Sequence, residues 1–130
     1  MIETGIKGSV RREVSPEMTA AAVGSGSLEV LATPVLMTMA EQAAAESLLP
    51  FLADGESTVG TRMDFRHDAP SPIGAVAVCE TELVEVDRRR LVFRISARDG
   101  SGEIGSGTHE RFLVDSARFM SKAASRFRSR

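Results

Sequence analysis

Trp and Tyr are absent from the 130 residues. An aromatic platform for stacking single-stranded nucleic acid is therefore not expected. The net charge of -2 argues in the same direction, because phosphate backbones are bound by an excess of positive charge. There is one cysteine, Cys79, so no internal disulfide can form and a reducing compartment is implied. Only two histidines, His67 and His109, are present and no C-x-x-C occurs, which leaves too few ligands for a zinc site of the usual kind. No metal is expected. The start, MIETGIKGSV, lacks the apolar core of a signal peptide. The longest apolar stretch is interrupted by Thr38, Glu41, Gln42 and Glu46, too often for a bilayer span. A cytoplasmic location follows, with neither membrane nor nucleic acid as partner.

What is present is an ordinary globular composition, 42% hydrophobic and 26% charged, at a length suited to one domain over 1–130. KGSVRREV (7–14) reads as a short strand, and SPEMTAAAVGSGS (15–27) as a mobile loop. Thr33 is placed as an N-cap and Pro34 as the first residue of a long helix, with Pro50 near its far end and a turn at Asp54-Gly55. The helix is apolar on most sides and needs to be wrapped.

Beyond it the period changes to two. Val59, Thr61, Met63, Phe65 and His67 fall on one strand face; Thr58, Gly60, Arg62, Asp64 and Arg66 fall on the other. DAPSPIG (68–74) is a loop, 75–86 is β-rich, DRRR (87–90) is a turn, and LVFRISAR (91–98) alternates with Leu91, Phe93, Ile95 and Ala97 inward. DGSG (99–102) is a hairpin turn before the strand 103–114, and a basic helix closes the chain. A strand, a loop, one long helix and four strands joined by tight turns give an α+β class: an antiparallel sheet wrapped around one long central helix.

That layout is that of a hotdog fold. The run from Thr33-Pro34 to Glu41, VGTRMDFRHDAPSPIG (59–74) and RRRLVFRISARDGSGEIGSGTHER (88–111) resemble the fluoroacetyl-coenzyme A thioesterase family of hotdog enzymes, GEIGSGTHER being the most specific piece. The resemblance implies hydrolysis of an acyl-coenzyme A thioester by Thr33, Glu41 and His67. It also implies a homodimer with its active sites at the subunit interface. No cofactor is implied, coenzyme A being part of the substrate. The family has an aromatic-rich lid before its threonine, whereas AVGSGSLEVL (22–31) has no aromatic residue. The scaffold and the chemistry are thus expected without specificity for the fluoroacetyl group.

The residues also make sense by themselves. A carboxylate in an apolar setting has a raised pKa, suited to a general base or nucleophile; otherwise Glu41 lies on a wet edge. Thr33-Pro34 is ordinary capping chemistry, compatible with a helix N-terminus that stabilises an oxyanion. Eight helical residues rise ~12 Å. Thr33 and Glu41 of one straight helix therefore cannot reach one carbonyl carbon: either Thr33 precedes the helix and folds back, or one site takes Thr33 from one subunit and Glu41 from the other, which fits an interface site in a dimer. His67 faces inward at its strand end, or bonds a loop near Asp68. His109 reads as structural or supporting. Gly60 is a place where backbone approaches the substrate, or a bulge glycine. Cys79 belongs to the core. The basic runs Arg88–Arg90 and Arg118, Lys122, Arg126, Arg128 and Arg130 are candidates for coenzyme A phosphates, or solvated charge. The rival reading is a non-catalytic hotdog dimer that binds an acyl-thioester or another hydrophobic ligand. A dehydratase or hydratase on the same fold would need a further acid/base motif, which the sequence does not display.

Overall fold

The computed structural model describes residues 1–128. Five strands form one antiparallel sheet: β1 (Lys7–Glu13), β2 (Glu56–His67), β3 (Val76–Asp87), β4 (Arg90–Asp99) and β5 (Gly102–Asp115). Their spatial order is β1-β3-β4-β5-β2. Helix α1 is Ala20–Val23, α2 is Thr33–Leu48 and α3 is Ser116–Arg128. Among these helices none is long and apolar enough to cross a membrane.

The hairpins β3–β4 and β4–β5 follow directly from the alternation and the two tight turns. The step from β2 to β3 does not. The strands are consecutive in the chain yet not neighbours, because β2 pairs with β5 and β3 with β1 and β4. The segment 68–75 is thus a crossover and not a hairpin turn. It leaves β2 as one edge of the sheet, with a ladder partner on one side only among the described residues.

One face of α2 carries Leu36, Met39, Ala40, Ala43, Ala44 and Leu48, all buried. They pack on Val10, Ala77, Cys79, Ile95 and Ala97 and, at the other end, on Leu83, Leu91 and Phe93. Three alanines on the buried face let the helix lie close to the sheet. The sheet sheathes this side only. Thr33, Pro34, Thr38, Glu41 and Glu46 remain exposed, so the helix is less enclosed than its composition suggests. Cys79 lies in this core, as expected, and burial pushes its thiol up to about 12, far from reactivity at neutral pH.

The segment read as a mobile loop is instead built. A 3-10 turn spans Pro16–Met18, and the Thr19 hydroxyl accepts the Ala22 amide to cap α1, which ends at Gly24 in the left-handed conformation. Ala20 and Ala21 donate to the carbonyls of Val30 and Leu28, closing 20–30 on itself. Leu31 then donates to Ser71, tying this arch to the crossover.

Candidate functional site

Thr33 is the first residue of α2, and Ala32, in extended conformation, is its N-cap. The capping role read for Thr33 is therefore a correction: its side chain does not cap the helix. Its Oγ1 lies 2.8 Å from Nδ1 of His67, the last residue of β2. Asp68, the alternative partner for that histidine, forms an ion pair with Arg66 at 3.4 Å. His67 is held below the ordinary histidine value of 6.5, chiefly by burial, against the Ala69 backbone and the Asp68 charge. It is thus neutral at pH 7. In the tautomer with Nδ1 unprotonated it accepts the Thr33 hydroxyl hydrogen, the relation of a base to an alcohol. Its Nε2 is buried without a hydrogen-bond partner.

Both side chains border an open cleft of about 320 Å³, walled by Ala20, Ser25 and Val30 of the arch and by Pro70 of the crossover. Apart from His67, no aromatic side chain among the described residues lines it. The helix end contributes fewer donors than its position suggests. Of the four amides usually left over, Ala32 donates to Met18, Pro34 has none, and Val35 turns back to Ala32. Thr33 alone of the four is not engaged in these bonds, so the oxyanion stabilisation expected there rests on one amide and the dipole.

Glu41 lies two turns further along α2, about 12 Å by helical rise. Of the two settings read from the sequence, the structure gives the wet edge and not the apolar one: the Glu41 side chain is 48% exposed and faces Arg111 Nη1 at 3.9 Å. A half-exposed pair of that kind stabilises a fold by about 0–1 kcal/mol, too little to explain the residue as a structural tie. Gly60 stands beneath it, on the inner face with Met63, Phe65 and His67. The expected parity put it on the opposite face. A register shift between Gly60 and Arg62 accounts for the difference, since one extra residue at Thr61 turns everything before it over. A Cβ at Gly60 would stand 2.6 Å from Glu41 Oε2, 3.1 Å from His109 Cε1 and 3.3 Å from Arg111 Nη1. The tightest of these meets the far end of a flexible side chain, so relief comes from moving Glu41. Gly60→Ala is expected to fold normally and, with Glu41 in the catalytic role the resemblance implies, to lose activity about 10- to 100-fold, the cost of displacing a reacting group by about an ångström. Steady-state kinetics beside a thermal melt would check it; unchanged kcat would show that this glycine serves only the bulge.

Arg111 is the residue that sequence reasoning missed. Its signal was present: His109 and Arg111 share a strand parity opposite Gly60. Both are buried, at 1% and 7% exposure. The GSG of the motif has a physical reason as well. Gly105 pairs with His67, and a Cβ there would press on the Phe65 ring and the Arg66 carbonyl. The basic candidates divide. Arg90 is engaged by Glu85 and Glu110 at 2.9 Å each, and Arg89 by the Leu113 carbonyl. Arg118 and Lys122 border a shallow pocket with Phe119 on α3. Arg130 lies outside the described residues.

The chain therefore brings Thr33 to His67 and Glu41 to Gly60, and keeps the two pairs apart. Residues 14–117 match the family described as fluoroacetyl-CoA-specific thioesterase. A fluoroacetyl-CoA thioesterase from Streptantibioticus cattleyicolor is 40% identical over 94 residues, 72% of this chain and 68% of its own. A variant of the fluoroacetyl-CoA-specific thioesterase, solved with fluoroacetate and CoA, superposes with TM-score 0.85 at 33% identity, covering 91% of this chain and 99% of that one. A thioesterase superfamily member from Thermus thermophilus superposes with TM-score 0.89 at 25% identity, covering 100% and 98%.

Proposed function

The chain belongs to the fluoroacetyl-CoA-specific thioesterase family, and from that premise we propose that it hydrolyses an acyl-coenzyme A to the free acid and coenzyme A, without selecting the fluoroacetyl group. The observation that carries the reading is the Thr33–His67 hydrogen bond at the edge of a cleft at a helix N-terminus. The acyl carbonyl sits against the Thr33 hydroxyl and amide, where the helix dipole favours the developing oxyanion. His67, neutral, accepts from or returns a proton to that hydroxyl. Glu41 takes the proton of the attacking water. The new C–O bond forms as the carbonyl π pair moves onto oxygen; the C–S bond then breaks as the carbonyl reforms, and coenzyme A leaves as thiolate and takes up the proton that Glu41 had received from water. Gly60 keeps the space beneath the carboxylate open.

The site is completed by a second subunit. Two features support this: Glu41 is exposed on the uncovered side of α2, and β2 has an open ladder edge alongside it. A homodimer formed there brings Glu41 of one chain toward Thr33 and His67 of the other. The enzyme is read as cytoplasmic from its lone buried thiol. Broad acyl tolerance is read from a cleft that, His67 apart, has no aromatic side chain in its lining among the described residues.

The binding module remains the second reading for one reason. Within a single chain, Glu41 is half exposed and outside the cleft. Free-thiol release from a panel of short, branched, aromatic and fluorinated acyl-CoA esters decides between them. Turnover of several members at comparable kcat/KM is expected. Tight binding without turnover of any member would give the site to the binding module, and turnover of the fluoroacetyl ester alone would overturn the broad specificity.

A further inference from the structure

Helix α3 takes no part in the core, and none of its residues is buried. Its start meets the body of the protein. There the Arg118 amide donates to the Asp115 carboxylate, and Arg118, Phe119 and Lys122 border a shallow pocket with Arg89 and Leu113. From Ser121 to Arg128 every residue is exposed, and among the large apolar side chains Met120 is 64% and Phe127 79% exposed. A helix of 13 residues is marginal in water unless something packs on it. Its residues are nonetheless ordered around its axis. At about 100° per residue, Phe119, Met120, Ala123, Ala124 and Phe127 fall within about 140° of the circumference. Lys122 and Arg126 flank that stripe on the Phe119 side, and Arg128 flanks it on the Ala124 side. Positions 116–130 hold five basic residues and no acidic one, on a chain of net charge -2. The remainder of the chain is therefore net acidic, and positive charge is gathered at this helix.

A stripe of Phe and Met between two rows of cations demands a surface that is apolar within and anionic at its rim. A second copy of α3 supplies the apolar half and sets like charges side by side. A nucleic-acid backbone supplies the charge and leaves Met120 and Phe127 in water. The interface of an anionic bilayer supplies both. We propose that α3 docks on an anionic bilayer surface, lying in its plane with Met120 and Phe127 among the acyl chains and Lys122 and Arg128 at the lipid phosphates. The expectation of a chain without a membrane partner rested on the absence of a span. Crossing takes about 20 apolar residues, whereas lying flat takes only a sided helix. The inference stands apart from the reading of the cleft. Helix α3 begins beside Glu56, at the end of β2 opposite His67, so docking leaves the cleft of the same chain open.

Co-sedimentation of the full chain with vesicles tests it. The vesicles are phosphatidylcholine alone or phosphatidylcholine with about 30% phosphatidylglycerol. Partitioning onto the anionic vesicles is expected to be at least about tenfold stronger and to weaken as salt is added. Met120→Ser combined with Phe127→Ser lowers it about tenfold, at an unchanged melting temperature because both side chains are exposed. Lys122→Glu combined with Arg128→Glu lowers it about 30-fold or more. Equal partitioning onto both kinds of vesicle, or binding that survives both double variants, would overturn the inference. Loss in the charge-reversed chain alone would also overturn it, assigning the helix to polyanions in general, nucleic acid included. A fall in the molecular mass in solution of the Met120, Phe127 variant would give the stripe to a second copy of the chain instead.

Discussion

Turnover of the best acyl-CoA ester is expected to fall about 10²–10⁴-fold in Glu41→Gln, the range for removing a general base, with the melting temperature unchanged. The two halves of that expectation come from the same geometry. Glutamine keeps the shape of the side chain but cannot accept the proton of water. It also gives up an ion pair with Arg111 that is loose, at 3.9 Å, and half solvated. Such a pair contributes about 0–1 kcal/mol to folding, small beside the ~5–15 kcal/mol that separates a folded domain from its unfolded chain. The guanidinium keeps its bonds to Thr58 and His109, so its donors stay satisfied, and the half-exposed position of Glu41 lets water replace the lost counter-charge. Thiol-release assays and melts on the same preparation read both quantities. Activity within about threefold of wild type would remove Glu41 from the chemistry.

The second expectation concerns two inactive chains mixed together. A chain carrying Thr33→Ala and His67→Ala lacks one half of the site; a chain carrying Glu41→Gln lacks the other. Thr33 and Glu41 stand ~12 Å apart along one helix, whereas reacting groups need to approach within about 3–3.5 Å. If each site draws Thr33 and His67 from one subunit and Glu41 from its partner, every mixed dimer has one intact site of two. Random exchange makes half of the dimers mixed, so the mixture regains about a quarter of wild-type activity. Separate assays of the parents give the baseline. A site contained in one chain predicts no recovery at any mixing ratio.

How much of this was legible depended on whether the signal was local. The long helix announced itself through Thr33-Pro34 and a run of alanines, and β4 through Leu91, Phe93, Ile95 and Ala97. Resemblance selected Thr33 and His67, and the structure sets them 2.8 Å apart although 34 positions separate them. The failures were of three kinds. Helix α1 has four residues, too few for a helical period to emerge, so its segment read as loop. The bulge at Thr61 adds a single residue, which no alternation pattern reveals, and it reversed the face given to Thr58 and Gly60. The environment of Glu41 is set by Arg111 on a strand at the other end of the chain. Its immediate sequence, rich in methionine and alanine, suggested an apolar pocket, while the fold supplied a cation and an open side.

The place of β2 in the sheet also has a consequence for how the polypeptide is made. On a ribosome, β2 emerges before β3 and β4, yet its only ladder partner among the described residues is β5, the last of the five strands to be synthesised. At about 5–20 residues per second, the 48 positions from His67 to Asp115 take roughly 2–10 s. During that time β1, β3 and β4 can already join, while β2 waits with both edges bare. A transcript truncated at the Gly100 turn would lose a single strand and leave two others, β2 and β4, open to pairing with a neighbouring nascent chain.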